Sequence, residues 1–176
     1  MDLFSFTRRL VDIESITGNE TAVGECLCRE LRLLGYSVEK ISVEGARFNI
    51  WATLPGQPPP AVVFSTHMDT VPPFIPSSED AERIWGRGSC DAKGIIAAQI
   101  AAAQRLRAEN LHVGMLFLVG EEKDSQGAQV ANQQPRGSRF LVNGEPTENR
   151  LALASKGTLR VELTARGRMA HSAYPE

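Results

Sequence analysis

Six residues in this chain have the types and the spacing to do chemistry together. His67 and Asp69 close the stretch "FSTHMD", and Asp91 stands in "GRGSCDAKG" ahead of an alanine-rich run. Glu121 and Glu122 follow an apolar run in "LFLVGEE", and Glu145 follows another in "LVNGEP". Each apolar run reads as a buried strand, so every one of these polar groups sits at or just past a strand end or ahead of a helix. In open α/β sheets that edge is where ligands bind. One imidazole with several carboxylates is an oxygen-and-nitrogen donor set that suits zinc, manganese or cobalt. So many carboxylates in one place repel one another unless a cation offsets them.

Each residue also has a plainer reading. His67 and Asp69 could form a hydrogen-bonded surface pair. Asp91 suits the N-cap of the helix that follows. Glu145 before Pro146 suits a turn, and Glu121 with Glu122 suits a solvated turn. The metal reading gains over these because the residues recur at equivalent ends of neighbouring elements. Asp69, two residues beyond His67, is placed to accept one ring N–H and leave the other nitrogen for a metal.

The elements that must position these groups follow from hydrophobic periodicity. Residues 3–14 and 17–34 read as amphipathic helices, the second opening on a capping-box spacing from Thr17 to Glu20 and stopping at Gly35. "SVEKISV" and "FNIWATL" read as strands, "AVVFSTHMD" and "VGMLFLVGEE" as buried ones, and "RFLVNGEP" as a short one. "CDAKGIIAAQIAAAQRLRAEN" reads as a strong helix and "SQGAQVANQQ" as a weaker one. Helices alternating with buried strands predict an α/β fold: a mixed, largely parallel sheet flanked by helices. After about residue 150 the pattern changes to alternating strands with a polar face, typical of an antiparallel sheet. The expected division is a catalytic, metal-binding domain over 1–151 and the start of a second domain over 152–176.

Composition narrows the partners. The chain has 176 residues, 19 basic and 21 acidic, for a formal charge of −2. That balance offers no electrostatic attraction for nucleic acid or an anionic membrane. No apolar stretch reaches the length of a membrane span, and the charged N-terminus lacks a signal-peptide core. Cys26, Cys28 and Cys90 form no framework spacing, so they read as reduced thiols of a cytoplasmic protein. A cysteine hydrolase using Cys90 has no histidine placed beside it in the sequence. His112, just before a strand, reads as structural or surface.

Taken in order, "STHMDTVP", "GRGSCDAKGIIAA", "LVGEEKDSQGA", "NGEPT" and "ARGRMAHSAYPE" resemble the motif set of the zinc-dependent aminoacylase and carboxypeptidase family. That family includes acetylornithine deacetylase, succinyl-diaminopimelate desuccinylase and the glutamate carboxypeptidases. The resemblance runs from about residue 10 to the end. It implies a zinc-exopeptidase-like catalytic domain followed by a small α/β dimerisation domain that acts as a lid.

It also implies roles. His67 and Glu145 would bind one metal, Glu122 a second, and Asp91 would bridge the two. Asp69 would orient His67, and Glu121, free of metal, would be the general base. The Asp91–Ala92 peptide would be cis. His171 would contact substrate, reaching the site of a partner subunit in a homodimer. One or two Zn²⁺ ions are implied, with Co²⁺ or Mn²⁺ as substitutes.

The implied reaction removes the acyl group from N-acyl amino acids, with dipeptidase or carboxypeptidase activity as an alternative within the family. The resemblance also implies a longer chain, whose later part returns to the catalytic domain and adds a histidine to the second metal. The expectation is therefore a fragment or truncated product. The alternative from another class is a non-catalytic remnant that pairs with other chains.

Overall fold

The computed structural model describes residues 2–157, 159 and 161–174. The chain divides into two compact units, Met1–Pro146 and Thr147–Glu176. The first unit is an α/β sandwich. Its elements run α1 (Leu3–Val11), α2 (Thr21–Leu33), β1 (Ser37–Glu44), β2 (Arg47–Thr53), β3 (Val62–His67), β4 (Ser78–Glu79), β5 (Ile84–Trp85), α3 (Lys93–Ala108), β6 (Gly114–Leu118), α4 (Gln126–Asn132) and β7 (Phe140–Asn143).

Five strands form one sheet in the order β1-β2-β6-β3-β7, and β4 with β5 forms a separate small hairpin. β1, β2 and β6 pair antiparallel, whereas β6, β3 and β7 run parallel. The sheet is therefore mixed. Its parallel part brings the C-terminal ends of three strands to one edge.

Strand alternation sorts side chains between the two faces. Phe48, Ile50 and Ala52 of β2, with Met115 and Phe117 of β6, join a core with Leu27 and Leu31 of α2 and Ile96 and Ile100 of α3. Burying a Leu or Ile side chain of this kind contributes about 1.5–3 kcal/mol. Trp51, Leu116, Leu118 and Val63 point to the opposite face. There they line a cavity of about 650 Å³ together with Ala128 and Ala131 of α4. The cavity reaches the strand ends at His67, Glu121 and Glu145.

α1 starts at Asp2, whose side chain accepts the Ser5 N–H, and ends at Val11, earlier than the periodicity suggests. The capping box expected at Thr17 does not form. α2 begins at Thr21, and neither Thr17 nor Glu20 caps it with a side-chain hydrogen bond. Glu20 instead takes a two-pronged hydrogen bond from Arg47, with Nε and Nη2 each 2.8 Å from a carboxylate oxygen. The Arg47 Nη1 atom continues to Gln126 Oε1 at 2.9 Å, tying the start of α2 through β2 to the start of α4. An ion pair between distant elements outcompetes a local cap because it satisfies a carboxylate that has no contact with water.

Asn49 adds a second tie. Its amide donates to the Gly127 carbonyl and accepts the Val119 N–H. Gly127 is needed at this close approach, since a Cβ there would lie 2.4 Å from the Val119 carbonyl oxygen.

The second unit departs from expectation. The division falls at Pro146, a few residues before the expected boundary. Among the described residues from 147 to 174 there is no helix or strand, only turns at Glu148–Asn149 and Ser172–Ala173 and a bridge between His171 and Tyr174. Leu151, Leu153, Leu159, Val161 and Leu163 alternate as strand residues would, but all are exposed. Alternation specifies a strand only where a partner strand and an apolar surface receive it.

The Glu20 side chain is 0% exposed and that of Arg47 12%. Arg47→Met leaves a buried carboxylate without its partner, so unfolding in urea should show a loss of about 3–5 kcal/mol. The double variant with Glu20→Gln should recover part of that loss.

Candidate metal centre

The parallel strands deliver the predicted residues to one edge. His67 is the last residue of β3, the Glu121–Glu122 turn follows β6, and Glu145 follows β7. Asp91 lies in the loop before α3, and its peptide bond to Ala92 is cis, as the resemblance implies. Asp91 does not cap α3; that position is taken by Ala92.

His67 is buried and its two ring nitrogens have distinct partners. Nδ1 lies 3.0 Å from the Asp69 backbone carbonyl, and Nε2 lies 2.8 Å from Asp91 Oδ1. Glu145 Oε2 is 3.8 Å from the same Nε2. Ligand atoms of His67, Asp91 and Glu122 all fall within 4.8 Å of one another.

Asp69 behaves differently from the simple expectation. Its backbone carbonyl is nearer to Nδ1 than its carboxylate, which stands 3.4 Å away. The carboxylate mainly receives other donors. Oδ1 accepts the Glu121 N–H at 3.0 Å, and Oδ2 accepts the Glu122 N–H at 3.1 Å and the Thr17 hydroxyl at 2.7 Å. Gly120, at φ +74°, supplies the left-handed backbone that turns the chain into this arrangement. Glu121 itself is exposed at the mouth of the cavity, beside His67 and Glu145.

The electrostatics are those of a crowded acidic site. Burial pushes Glu122 upward, and the charges of Asp91 and Glu121 push it the same way, against the pull of His67. Burial also raises Glu145, with Glu121 and Asp91 adding to it. For His67 burial acts downward, but hydrogen bonds to Asp69 and Asp91 and the charge of Glu145 overcome it and push the imidazole up to about 11. Burial acts upward on Asp69, yet its bonds to His67, Thr17 and the two backbone N–H groups hold it below the usual carboxylate range.

These residues fit a divalent cation. Nδ1 is committed to the Asp69 carbonyl, which leaves Nε2, turned toward Asp91 and Glu145, as the atom that would ligate, the usual arrangement for a metal-bound histidine. The carboxylates around it are strained by like charge in the way that a cation relieves. The donor set does not select among zinc, cobalt and manganese.

One contributor to the site and one buried charge outside it escaped the sequence reading. Thr17 was absorbed into a helix cap. Lys93 is buried at the first position of α3, with Nζ 2.5 Å from the Ile13 carbonyl. Burial brings it down to about 8, against the raising effect of Asp12 and Glu14. A lysine at a helix N-terminus opposes the helix dipole, and that was the available signal.

His171 belongs to the second unit. There its Nδ1 accepts the Ala173 N–H, and its ring faces Tyr174 at 6.0 Å between centroids. His112 is exposed, Cys26 and Cys28 are buried, and Cys90 is exposed; all three thiols are free.

Metal entry must expel the proton that the cluster holds on His67. In protein stripped with a chelator, zinc binding at pH 7 should release about one proton or more. The sign is fixed by competition: falling pH favours the protonated imidazole and carboxyls, so affinity rises with pH from 6 to 8. Calorimetry in buffers of different ionisation enthalpy measures the release, and a pH-independent affinity would contradict the arrangement. Without metal, the raised His67 value favours the folded state below the ordinary imidazole value of 6.5. That contribution fades as pH climbs toward about 11.

Comparison with known proteins gives the family. Residues 63–173 match the model of peptidase family M20/M25/M40. A Schizosaccharomyces pombe protein described as M20 domain-containing is 40% identical over 183 residues, covering 99% of this chain and 46% of its own. A probable carboxypeptidase of Talaromyces marneffei is 40% identical over 205 residues, covering 98% and 45%. This chain thus spans about half the length of those relatives. Among solved structures, a Staphylococcus aureus tripeptidase superposes with a TM-score of 0.68 at 25% identity, over 80% of this chain and 42% of that one. Human carnosine dipeptidase 1 gives 0.69 at 21%, over 82% and 38%. With the family model covering more than half its length, the chain belongs to peptidase family M20/M25/M40.

Proposed function

We propose that this chain is the metal-binding portion of a hydrolase of small peptides. The observation that carries the reading is the meeting of His67, Asp91 and Glu122 within 4.8 Å, with Glu121 beside them at the cavity mouth. Names borne by the relatives, carboxypeptidase above all, favour a peptide bond over the N-acyl amino acids expected from sequence resemblance. Removal of an N-acyl group uses the same amide chemistry and is the second reading.

His67 and Glu145 would hold one cation, Glu122 a second, and Asp91 would lie between them. A bound divalent cation supplies an acidified water and polarises the scissile carbonyl. The chain's own residues do the rest. Glu121 accepts a proton from the attacking water and returns it to the departing amine nitrogen. The Asp69 carbonyl keeps Nε2 of His67 directed into the cluster, and the Asp69 carboxylate holds the turn that carries Glu121. Zinc is the ion we assign, with cobalt or manganese as replacements.

The test is zinc content together with hydrolysis of dipeptides, C-terminally extended peptides and N-acetyl amino acids. Glu121→Gln should keep its zinc and lose about 10²–10⁴ in kcat. Turnover unchanged in that variant would remove Glu121 from the reaction. Neither metal nor turnover in the unmodified chain would favour the chain-pairing remnant instead.

A further inference from the structure

The stretch "SITGNE", residues 15–20, lies along the centre from its outer side. Ser15 Oγ donates to the Met68 carbonyl at 2.8 Å, and the Ser15 carbonyl accepts the Thr70 N–H at 2.9 Å. Thr17 N–H donates to the Thr70 carbonyl at 3.2 Å, and Ile16 bridges to Thr70 in parallel. Residues 15–17 therefore pair with Thr70 through a single parallel bridge, with the Ser15 hydroxyl reaching Met68. That backbone pairing brings the Thr17 hydroxyl to the Asp69 carboxylate, 2.7 Å away.

The receiving oxygen is also the acceptor for the Glu122 N–H, and its neighbour accepts the Glu121 N–H. Two successive N–H groups on one carboxylate set the peptide planes of the turn, and so the directions in which the two glutamate side chains leave it. Asp69 is 0% exposed, so its carboxylate relies on donors from the protein. The Asp69 side chain has a broad, soft terminal torsion. Without the Thr17 donor, only the two N–H groups of the turn and the more distant His67 Nδ1, 3.4 Å from Oδ1, hold the carboxylate. A hydroxyl does this without charge, whereas a lysine or arginine there would oppose a cation in the same cluster.

We propose that Thr17 is a positioning residue: its hydroxyl locks the Asp69 carboxylate in the orientation that aims Glu121 and Glu122 at the metal centre. This rests on the metal reading above. It acts through the backbone of the turn, not through contact with metal or substrate.

The test compares Thr17→Val, which keeps the shape and removes the donor, with Thr17→Ser, which keeps the donor. Amide hydrogen exchange at Glu121 and Glu122 is read in chelator-treated protein, and zinc affinity by calorimetry. Thr17→Val should speed exchange at those two amides while the α2 amides stay unchanged. Zinc binding should weaken about tenfold, the usual scale for losing a supporting hydrogen bond behind metal ligands. Thr17→Ser should behave as the parent in both.

Parent-like exchange in Thr17→Val, or equal damage in Thr17→Ser, would overturn the proposal. So would faster exchange with an unchanged zinc affinity. If the parent chain binds no zinc, the metal reading fails and the aiming role falls with it; the exchange comparison still shows separately whether Thr17 holds the turn.

Discussion

Like-charge repulsion at one edge of the sheet is the constraint around which the first unit is arranged. Asp91, Glu122 and Glu145 approach a single buried imidazole, and burial and mutual repulsion raise both Glu122 and Glu145. Two of the nearby cations are engaged elsewhere. Arg47 is spent on Glu20, and the Lys93 ammonium points to the Ile13 carbonyl. Asp69 is held by neutral donors alone, apart from His67. Against the effect of burial, the crowded carboxylates also push His67 up to about 11, and the donor set is one that a divalent cation would fit.

The scaffold makes this arrangement affordable by rigid ties placed on either side of the edge. Parallel pairing of β6, β3 and β7 aligns the strand ends that carry Glu121, Glu122, His67 and Glu145. The Glu20–Arg47–Gln126 chain and the Asn49 bridge anchor α4, which follows directly on the Glu121–Glu122 turn. Residues 15–17 clasp the segment after His67 from the other side. The turn bearing the proposed base is therefore fixed at both its ends and through its middle.

Much of the site was legible because strand ends announce themselves. An apolar run followed by a charged residue marks the point where a buried strand leaves the core, so His67, Glu122 and Glu145 stand out one by one. Asp91 was legible from its place before a strong helix, although a cap was its plainer reading. Thr17 and Glu20 were misread for a physical reason. Their spacing satisfies a local rule, but each side chain found a stronger partner from a distant element, Asp69 in one case and Arg47 in the other. Lys93 was overlooked because its exposure, not its type, makes it unusual. Residues 151–163 failed in the opposite direction: the alternation is real, but among the described residues no strand forms.

What sequence alone determined is the inventory and the order: which strands are buried, which helices are amphipathic, and which ligand types stand at their ends. These follow from periodicity and composition, which act over a few residues. Tertiary structure decided which atoms face one another. It chose the Asp69 carbonyl over its carboxylate as the nearer partner of His67, and gave that carboxylate to the backbone of Glu121 and Glu122. It also moved Thr17 from a helix cap to the Asp69 carboxylate. Such choices depend on distances between segments some fifty residues apart, where packing geometry rather than local preference sets the winning hydrogen bond.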